Sequence, residues 1–487
     1  MKIDKKEKIS SELSKFLLKS LERHLPITNK TKILEDIVSL LMYELLNENL
    51  YINIKEYKPS IKLQVKGWPE EHINALKENE WIHDPSSPIV MKEGKLSWKR
   101  WDDEMTTTTE AIIQRKLHEP IRNNQEISIN NVPSISYLNQ AQISAVKSIT
   151  TQGIVLLSGG PGTGKTSTII HMIEQILYFK PDFNIGLAAP TGKAAKRLQD
   201  SIHTNFKHLK VNHKEKISKI PCKTLHSWLE ATHIGFGRNK NFPLNLDLMV
   251  IDEMSMVNLF LMKALLEALK NTTKLILVGD PNQLPPIGGG AIWQELHEEN
   301  NLKKFKKGAI YLDKIYRNRG AIASLSKIIK DDNVDLFWQE ASNQNPSSNV
   351  QLHFSNSNKL PSQVIDQLQR QRTKLKELVQ KLKNEPPNRK NISSTTRIPT
   401  SKSKDEIFKC LENLMVLCPK RTGSWGINHV HRTLLGKNFE DNVEIWPEGT
   451  PIICTENHSD LGLSNGDIGV VIGELSHQRY LFKKFSN

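Results

Sequence analysis

The stretch that most limits what this chain can become runs from Ile154 to Leu177, IVLLSGGPGTGKTSTIIHMIEQIL. Its opening apolar run suits a strand buried on both faces. After a glycine-rich turn, Ile169, Ile170, Met172, Ile173, Ile176 and Leu177 recur at helical spacing. The turn fits G-x-x-x-x-G-K-[ST], with Gly159, Gly164, Lys165 and Thr166 in the fixed places. Strand, turn and helix in this order form a phosphate cradle. Along Gly159, Gly160, Pro161, Gly162, Thr163 and Gly164, the backbone N–H groups of all but Pro161 converge where side chains would otherwise block them. The helix start at Lys165, Thr166 and Ser167 adds its partial positive charge. Lys165 is expected to reach the β- and γ-phosphates, and the Thr166 hydroxyl to ligate Mg²⁺. The chain is therefore expected to bind a nucleoside triphosphate.

Three more apolar runs end in tips that suit the same chemistry. In DLMVIDEMSMV, Asp252 and Glu253 follow a buried strand, at the end where α/β folds place their sites. Asp252 is expected to hold Mg²⁺ and Glu253 to polarise the water that attacks the γ-phosphate. KLILVGDPNQLPPIGGGAIW places Gln283 on the next tip, where an amide can sense the γ-phosphate. AIYLDKIYRN carries Arg317, a cation suited to the charge of a transferring phosphoryl group. Upstream of the loop, Gln142 lies in a capped amphipathic helix, where its amide can read adenine or simply face solvent.

FNIGLAAPTGKAAKRL reads as one more strand, turn and helix. It is not a second phosphate loop, because five residues separate Gly186 from Gly192 where four are required. Pro190, Thr191 and Lys193 on its tip can hold a nucleic-acid backbone or form a solvated basic helix start. Thr224 and His226 in KTLHSWL can contact a sugar or phosphate in the same way.

With 487 residues the chain has material for roughly three domains. It has 67 Lys and Arg against 53 Asp and Glu, a formal charge of +14, which suits nucleic acid without requiring it. No apolar run approaches a membrane span, and MKIDKKEKISSELSKF lacks the apolar core of a secretory signal. The four cysteines show neither metal-ligand spacing nor dense pairing, so a reducing cytoplasm is expected.

SGGPGTGKTST, APTGKAAKRL, TLHSWL, VIDEMSMV, VGDPNQLPPIGGG and LDKIYRN, in this order, resemble the successive motifs of superfamily 1B DNA helicases of the RecD type. VLCPKRTGSWGINHVHRTLL and GTPIICTENHSDLGLSNGDIGVVIGE extend the likeness into the second motor domain and its inserted barrel. The resemblance implies an α/β fold with a RecA-like P-loop NTPase motor domain. A mainly helical N-terminal domain would precede it, and an incomplete second motor domain with a small SH3-like β-barrel insert would follow. The expected limits are 1–133 for the N-terminal docking domain, 134–342 for the first motor domain, 343–410 for a polar linker with one amphipathic helix, and 411–487 for the start of the second motor domain. It also implies that Lys165, Thr166, Asp252, Glu253, Gln283 and Arg317 form the ATP site, with Gln142 near the base. The implied activity is 5′ to 3′ translocation on single-stranded DNA. The implied setting is a heterotrimer with RecB-like and RecC-like subunits that processes double-strand ends.

Two family runs, T-x-H-K-S-Q-G and Y-T-A-x-T-R-A, do not occur in the chain. The expectation is a truncated second motor domain, weak ATP binding and no competent motor from this chain alone. Two alternatives are a non-catalytic ATP-binding scaffold subunit and a stand-alone RecD-like helicase.

Overall fold

The computed structural model describes residues 5–23, 25, 31–54, 57, 59, 65–82, 85–115, 138–204, 211–316, 320–344, 348–355, 360–384, 401–436, 446–456, 458–463, 465–473 and 479–483. Two compact units divide the chain, Met1–Asn318 and Arg319–Asn487. Among the described residues, no helix is long and apolar enough to cross a membrane.

The first unit opens with α1 (Lys5–Leu21) and α2 (Thr31–Leu46), then β1 (Tyr51–Asn53), α3 (Glu70–Glu78), β2 (Ile89–Lys92), β3 (Lys95–Trp98) and α4 (Lys99–Gln114). The three strands form an antiparallel sheet in the order β1-β3-β2. Glu93 and Gly94 join β2 to β3 with φ of 50° and 79°, the paired left-handed residues that match a hairpin's twist. Ile37, Leu40 and Leu41 from α2 meet Leu76, Trp81 and Leu96 in a core of their own. Trp68 and Trp98 pack against that core. Trp101 on α4 stands edge-on to Phe260 at 5.3 Å. Ile112 and Ile113 of α4 enter the neighbouring core.

That neighbouring core surrounds the main sheet. Its elements are α5 (Gln140–Thr151), β4 (Ile154–Gly159), α6 (Lys165–Phe179), β5 (Ile185–Ala189), α7 (Gly192–Thr204), α8 (Val211–Ser218), β6 (Cys222–Thr224) and α9 (Leu225–Trp228). A short hairpin of β7 (Ala231–Thr232) and β8 (Gly235–Phe236) precedes β9 (Leu248–Ile251), α10 (Leu259–Ala268), β10 (Lys274–Gly279), α11 (Ile292–His297), α12 (Glu299–Phe305) and β11 (Ala309–Leu312). Six strands lie in the order β11-β4-β10-β9-β5-β6, every pair parallel. Every residue of β4, β5, β9 and β10 is buried, whereas the edge strands β6 and β11 carry exposed positions. The continuous apolar runs IVLL, LMVI and LILV follow from helices covering both faces. Parallel strands send all their carboxyl ends to one edge, so six sequence-distant tips share it.

The second unit holds α13 (Ala321–Lys330), α14 (Val334–Ser342), α15 (Ser362–Asn384), α16 (Ser401–Glu412) and α17 (Ile427–Leu435). β12 (Pro451–Ile453), β13 (Ile468–Ile472) and β14 (Arg479–Phe482) form an antiparallel sheet. Leu375, Val379 and Leu382 on α15 bury against Ile407, Phe408 and Leu411 of α16 and Val470 of β13. The 343–410 stretch, expected to be a linker with one amphipathic helix, thus contributes two helices to this unit's core. The polar run SKSKDE hides α16, because only its later residues are apolar.

Candidate nucleotide site

Gly164 caps α6 in the left-handed conformation, φ 88°, and Gly162 is also left-handed at φ 76°. A methyl group built on Gly159 would sit 2.8 Å from the Leu312 carbonyl oxygen and from Thr163 Oγ1. Gly160, by contrast, faces open space. The cradle is therefore tight behind and free in front. Thr163 Oγ1 donates to the Gly160 carbonyl at 2.8 Å, which ties the turn across itself. Lys165 Nζ folds back and donates to the carbonyls of Gly159 (2.7 Å) and Gly160 (3.0 Å). Phosphate oxygens would have to displace those two bonds. Thr166 and Ser167 follow Lys165 in the first turn of α6, both half-buried.

Below the loop, Ser158 Oγ lies 2.6 Å from His297 Nε2, and His297 Nδ1 lies 2.7 Å from the Trp293 carbonyl. Nδ1 is then the protonated nitrogen and Nε2 accepts from Ser158, the neutral tautomer that burial favours by lowering the His297 pKa.

Asp252 follows β9 and is half-buried, and its carboxyl is pushed up to about 6 by desolvation, then by neighbouring Glu253. The Glu253 backbone N–H, which donates to Asp252 Oδ1 at 2.9 Å, and the Lys165 ammonium pull the other way. Glu253 itself is half-buried at φ 55°. These donors suit Mg²⁺, a hard cation that takes oxygen ligands such as a carboxylate and a hydroxyl. A cation beside Asp252 would also offset its desolvation.

Gln283, on the loop after β10, is exposed, and its Oε1 accepts from the buried Ser255 Oγ at 3.2 Å. The acidic tip and the glutamine tip are thus joined through Ser255, a residue that sequence reasoning passed over. Gln142 is buried rather than solvated. Its Oε1 accepts the Asn139 N–H, while the Asn139 side chain accepts the Gln142 N–H, a reciprocal cap on α5. Its Nε2 would lie 2.7 Å from a methyl group on Gly164. Tyr316 was also missed: its N–H donates to the Gly162 carbonyl at 2.9 Å, and its hydroxyl accepts from Asn139 Nδ2 at 3.0 Å. Its one sequence signal is adjacency to Arg317, which lies outside the described residues.

Ala189 and Thr224 are register partners, so the tips of β5 and β6 lie side by side. Pro190, Thr191 and Lys193 are half-buried there, and His226 is exposed. Thr191 Oγ1 accepts from Ala194 N–H and Thr224 Oγ1 from Ser227 N–H, so both hydroxyls cap the helices that follow.

A family model described as an AAA domain matches residues 142–289. The RecBCD enzyme subunit RecD of Buchnera aphidicola subsp. Schizaphis graminum is 28% identical over 432 residues, 79% of this chain and 68% of that protein. RecD of Mycolicibacterium smegmatis is 30% identical over 357 residues, 70% of this chain and 59% of that protein. The chain is thus similar to RecD subunits over most of its length. The ATP-dependent RecD2 DNA helicase of Deinococcus radiodurans is 33% identical over 156 residues, 31% of this chain and 19% of that protein. A solved Pif1 helicase structure, described as concerned with DNA unwinding at forked double-stranded DNA, aligns with a TM-score of 0.33 at 17% identity, covering 69% of this chain and 71% of its own.

Proposed function

We propose that this chain is an ATP-hydrolysing DNA helicase subunit that moves 5′ to 3′ along single-stranded DNA. In this reading it works with RecB-like and RecC-like subunits in an exodeoxyribonuclease V-type complex that processes double-strand ends for recombinational repair in the cytoplasm. The observation that carries the reading is one edge of one sheet. There the phosphate loop after β4, the carboxylates after β9 and Gln283 after β10 end adjacent parallel strands.

Each residue has a task its setting permits. Lys165 leaves the Gly159 and Gly160 carbonyls for the β- and γ-phosphates. Thr166 and Asp252 would hold Mg²⁺, which would supply charge neutralisation at the phosphates. Glu253 orients the attacking water, and Arg317 stabilises charge on the transferring group. Gln142 lies near the base. Pro190, Thr191, Lys193, Thr224 and His226 form the track for the DNA backbone. Gln283 passes the state of the γ-phosphate on to the strand-gripping surface, and alternating grip yields translocation.

Hydrolysis of ATP with and without single-stranded DNA, for wild type and Lys165→Ala, tests the reading. For the subunit assembled with its RecB-like and RecC-like partners, the expected result is DNA-stimulated turnover that Lys165→Ala lowers. Equal turnover in both proteins overturns it and supports a non-catalytic ATP-binding scaffold subunit. Unwinding of 5′-tailed but not 3′-tailed duplexes is expected, and the reverse preference overturns the direction.

A further inference from the structure

The turn after α2 is built with unusual care for a connection. Asn47, Glu48 and Asn49 N–H groups donate to the carbonyls of Tyr43, Leu45 and Glu44 at 2.8–3.1 Å. The buried Glu44 carboxylate also accepts from Asn49 Nδ2 at 2.6 Å and from the Tyr57 hydroxyl at 2.8 Å. This scaffold holds Glu48 at φ 70°, a conformation that favours glycine and opposes a glutamate. A strained acidic residue in an over-determined turn needs a reason.

The reason lies 240 residues away: Glu48 Oε2 accepts the backbone N–H of Gly288 at 2.5 Å. Two positions on, Leu50 belongs to the core around the main sheet and not to the N-terminal one. The glycine run it meets cannot be anything larger. A methyl group on Gly289 would sit 2.7 Å from Leu50 Cδ2. On Gly288 (φ 101°) it would sit 2.5 Å from Asn258 Nδ2, and on Gly290 (φ 90°) 2.5 Å from Leu259 Cβ. Gly288–Gly290 is wedged between the turn after α2 and the start of α10.

Between Gln283 and this wedge run Leu284, Pro285, Pro286 and Ile287. Leu284 is 87% exposed and Ile287 89% exposed, so burial does not hold this stretch. Its two prolines fix φ and make it a stiff strut. Its position is set at the ends, by Ser255 on Gln283 and by Glu48 on Gly288. We propose that Glu48, in the N-terminal region, is a positioning residue for Gln283 and acts through the Gly288 N–H and the proline strut. The catalytic half of this inference rests on Gln283 sensing the nucleotide. The structural half does not.

Hydrogen–deuterium exchange of the full chain separates the two. Glu48→Ala is expected to speed exchange at Gly288 at least tenfold and to loosen 283–288, with β4 and α6 unchanged. Glu48→Gln keeps an acceptor oxygen and is expected to restore most of the protection. Unchanged exchange at Gly288 in Glu48→Ala, or equal loosening throughout the first unit, overturns the inference. For the catalytic half, Glu48→Ala is expected to lower kcat several-fold at constant KM for ATP, and to add nothing in a Gln283→Ala background. The same fall in both backgrounds overturns the link to Gln283. If Gln283→Ala leaves turnover untouched while Gly288 still responds to Glu48→Ala, the sensor reading fails and the positioning contact stands.

Discussion

The phosphate loop and the glutamine loop leave adjacent parallel strands, with Leu156 opposite Leu277. They are held in opposite ways. The phosphate loop is tied mostly within itself: Lys165 and Thr163 both donate to carbonyls of the same turn, with one bond from outside, the Tyr316 N–H to the Gly162 carbonyl. The glutamine loop has local bonds to Asp280 but takes its distal restraints from Ser255 at one end and from Glu48 and Leu50 at the other. A self-tied loop can form wherever its short sequence occurs. A borrowed one is positioned only where its distant partners are in place.

Four substitutions and conditions test that contrast. Lys165→Ala should cost about 10²–10³-fold in turnover, since it removes charge stabilisation from the transferring group. It should leave Gly288 exchange untouched, and phosphate release reads the first effect directly. Gly290→Ala should destabilise the first unit by about 1–3 kcal/mol, because the left-handed backbone and Leu259 both oppose a side chain. Gly160→Ala, facing open space, should leave stability within about 0.5 kcal/mol and instead lower nucleotide affinity, as its methyl group projects into the cradle. Thermal unfolding and binding of a fluorescent ATP analogue distinguish these two glycines; similar stability losses would break the comparison.

Asp252 supplies the pH test. Its folded pKa of about 6 lies above the usual carboxylate value of 3.8. The stability it contributes is therefore fully present below about pH 4 and is lost as pH rises towards 6. Asp252→Asn should raise the melting temperature at pH 7 in nucleotide-free protein, and the gain should shrink towards pH 4. On the proposal that the Asp252 carboxylate holds Mg²⁺, affinity for the ion should fall up to about tenfold per pH unit below 6. Calorimetric titration between pH 5 and pH 8 measures that, and a flat profile would remove Asp252 from the metal site.

The same contrast explains what sequence could reveal. The bonds that tie the phosphate loop across itself all lie between Ile154 and Leu177, so pattern and spacing suffice to recognise it, while the packing of Gln142, Leu312 and Tyr316 on it does not show there. The buried strands under the other tips are legible for the same reason, as short apolar runs that need no partner to be recognised. The role of Gly288–Gly290 is not, because Leu50 and Glu48 give no sign in isolation of meeting residues 240 positions later. Gln142 shows a finer limit. Its spacing from Asn139 fits a reciprocal helix cap, but its burial against Gly164 depends on how α5 meets the loop. In α16, a polar start concealed a helix whose inward face is short.

Glu253 is held at φ 55°, where a residue with a side chain costs about 1 kcal/mol and glycine far less. A library of this chain sorted only for heat resistance should therefore drift to glycine or asparagine at 253, while one sorted for ATP turnover should keep the carboxylate. The site's thermostability and its chemistry pull this single position in opposite directions, so screens that reward the first will silently discard the second.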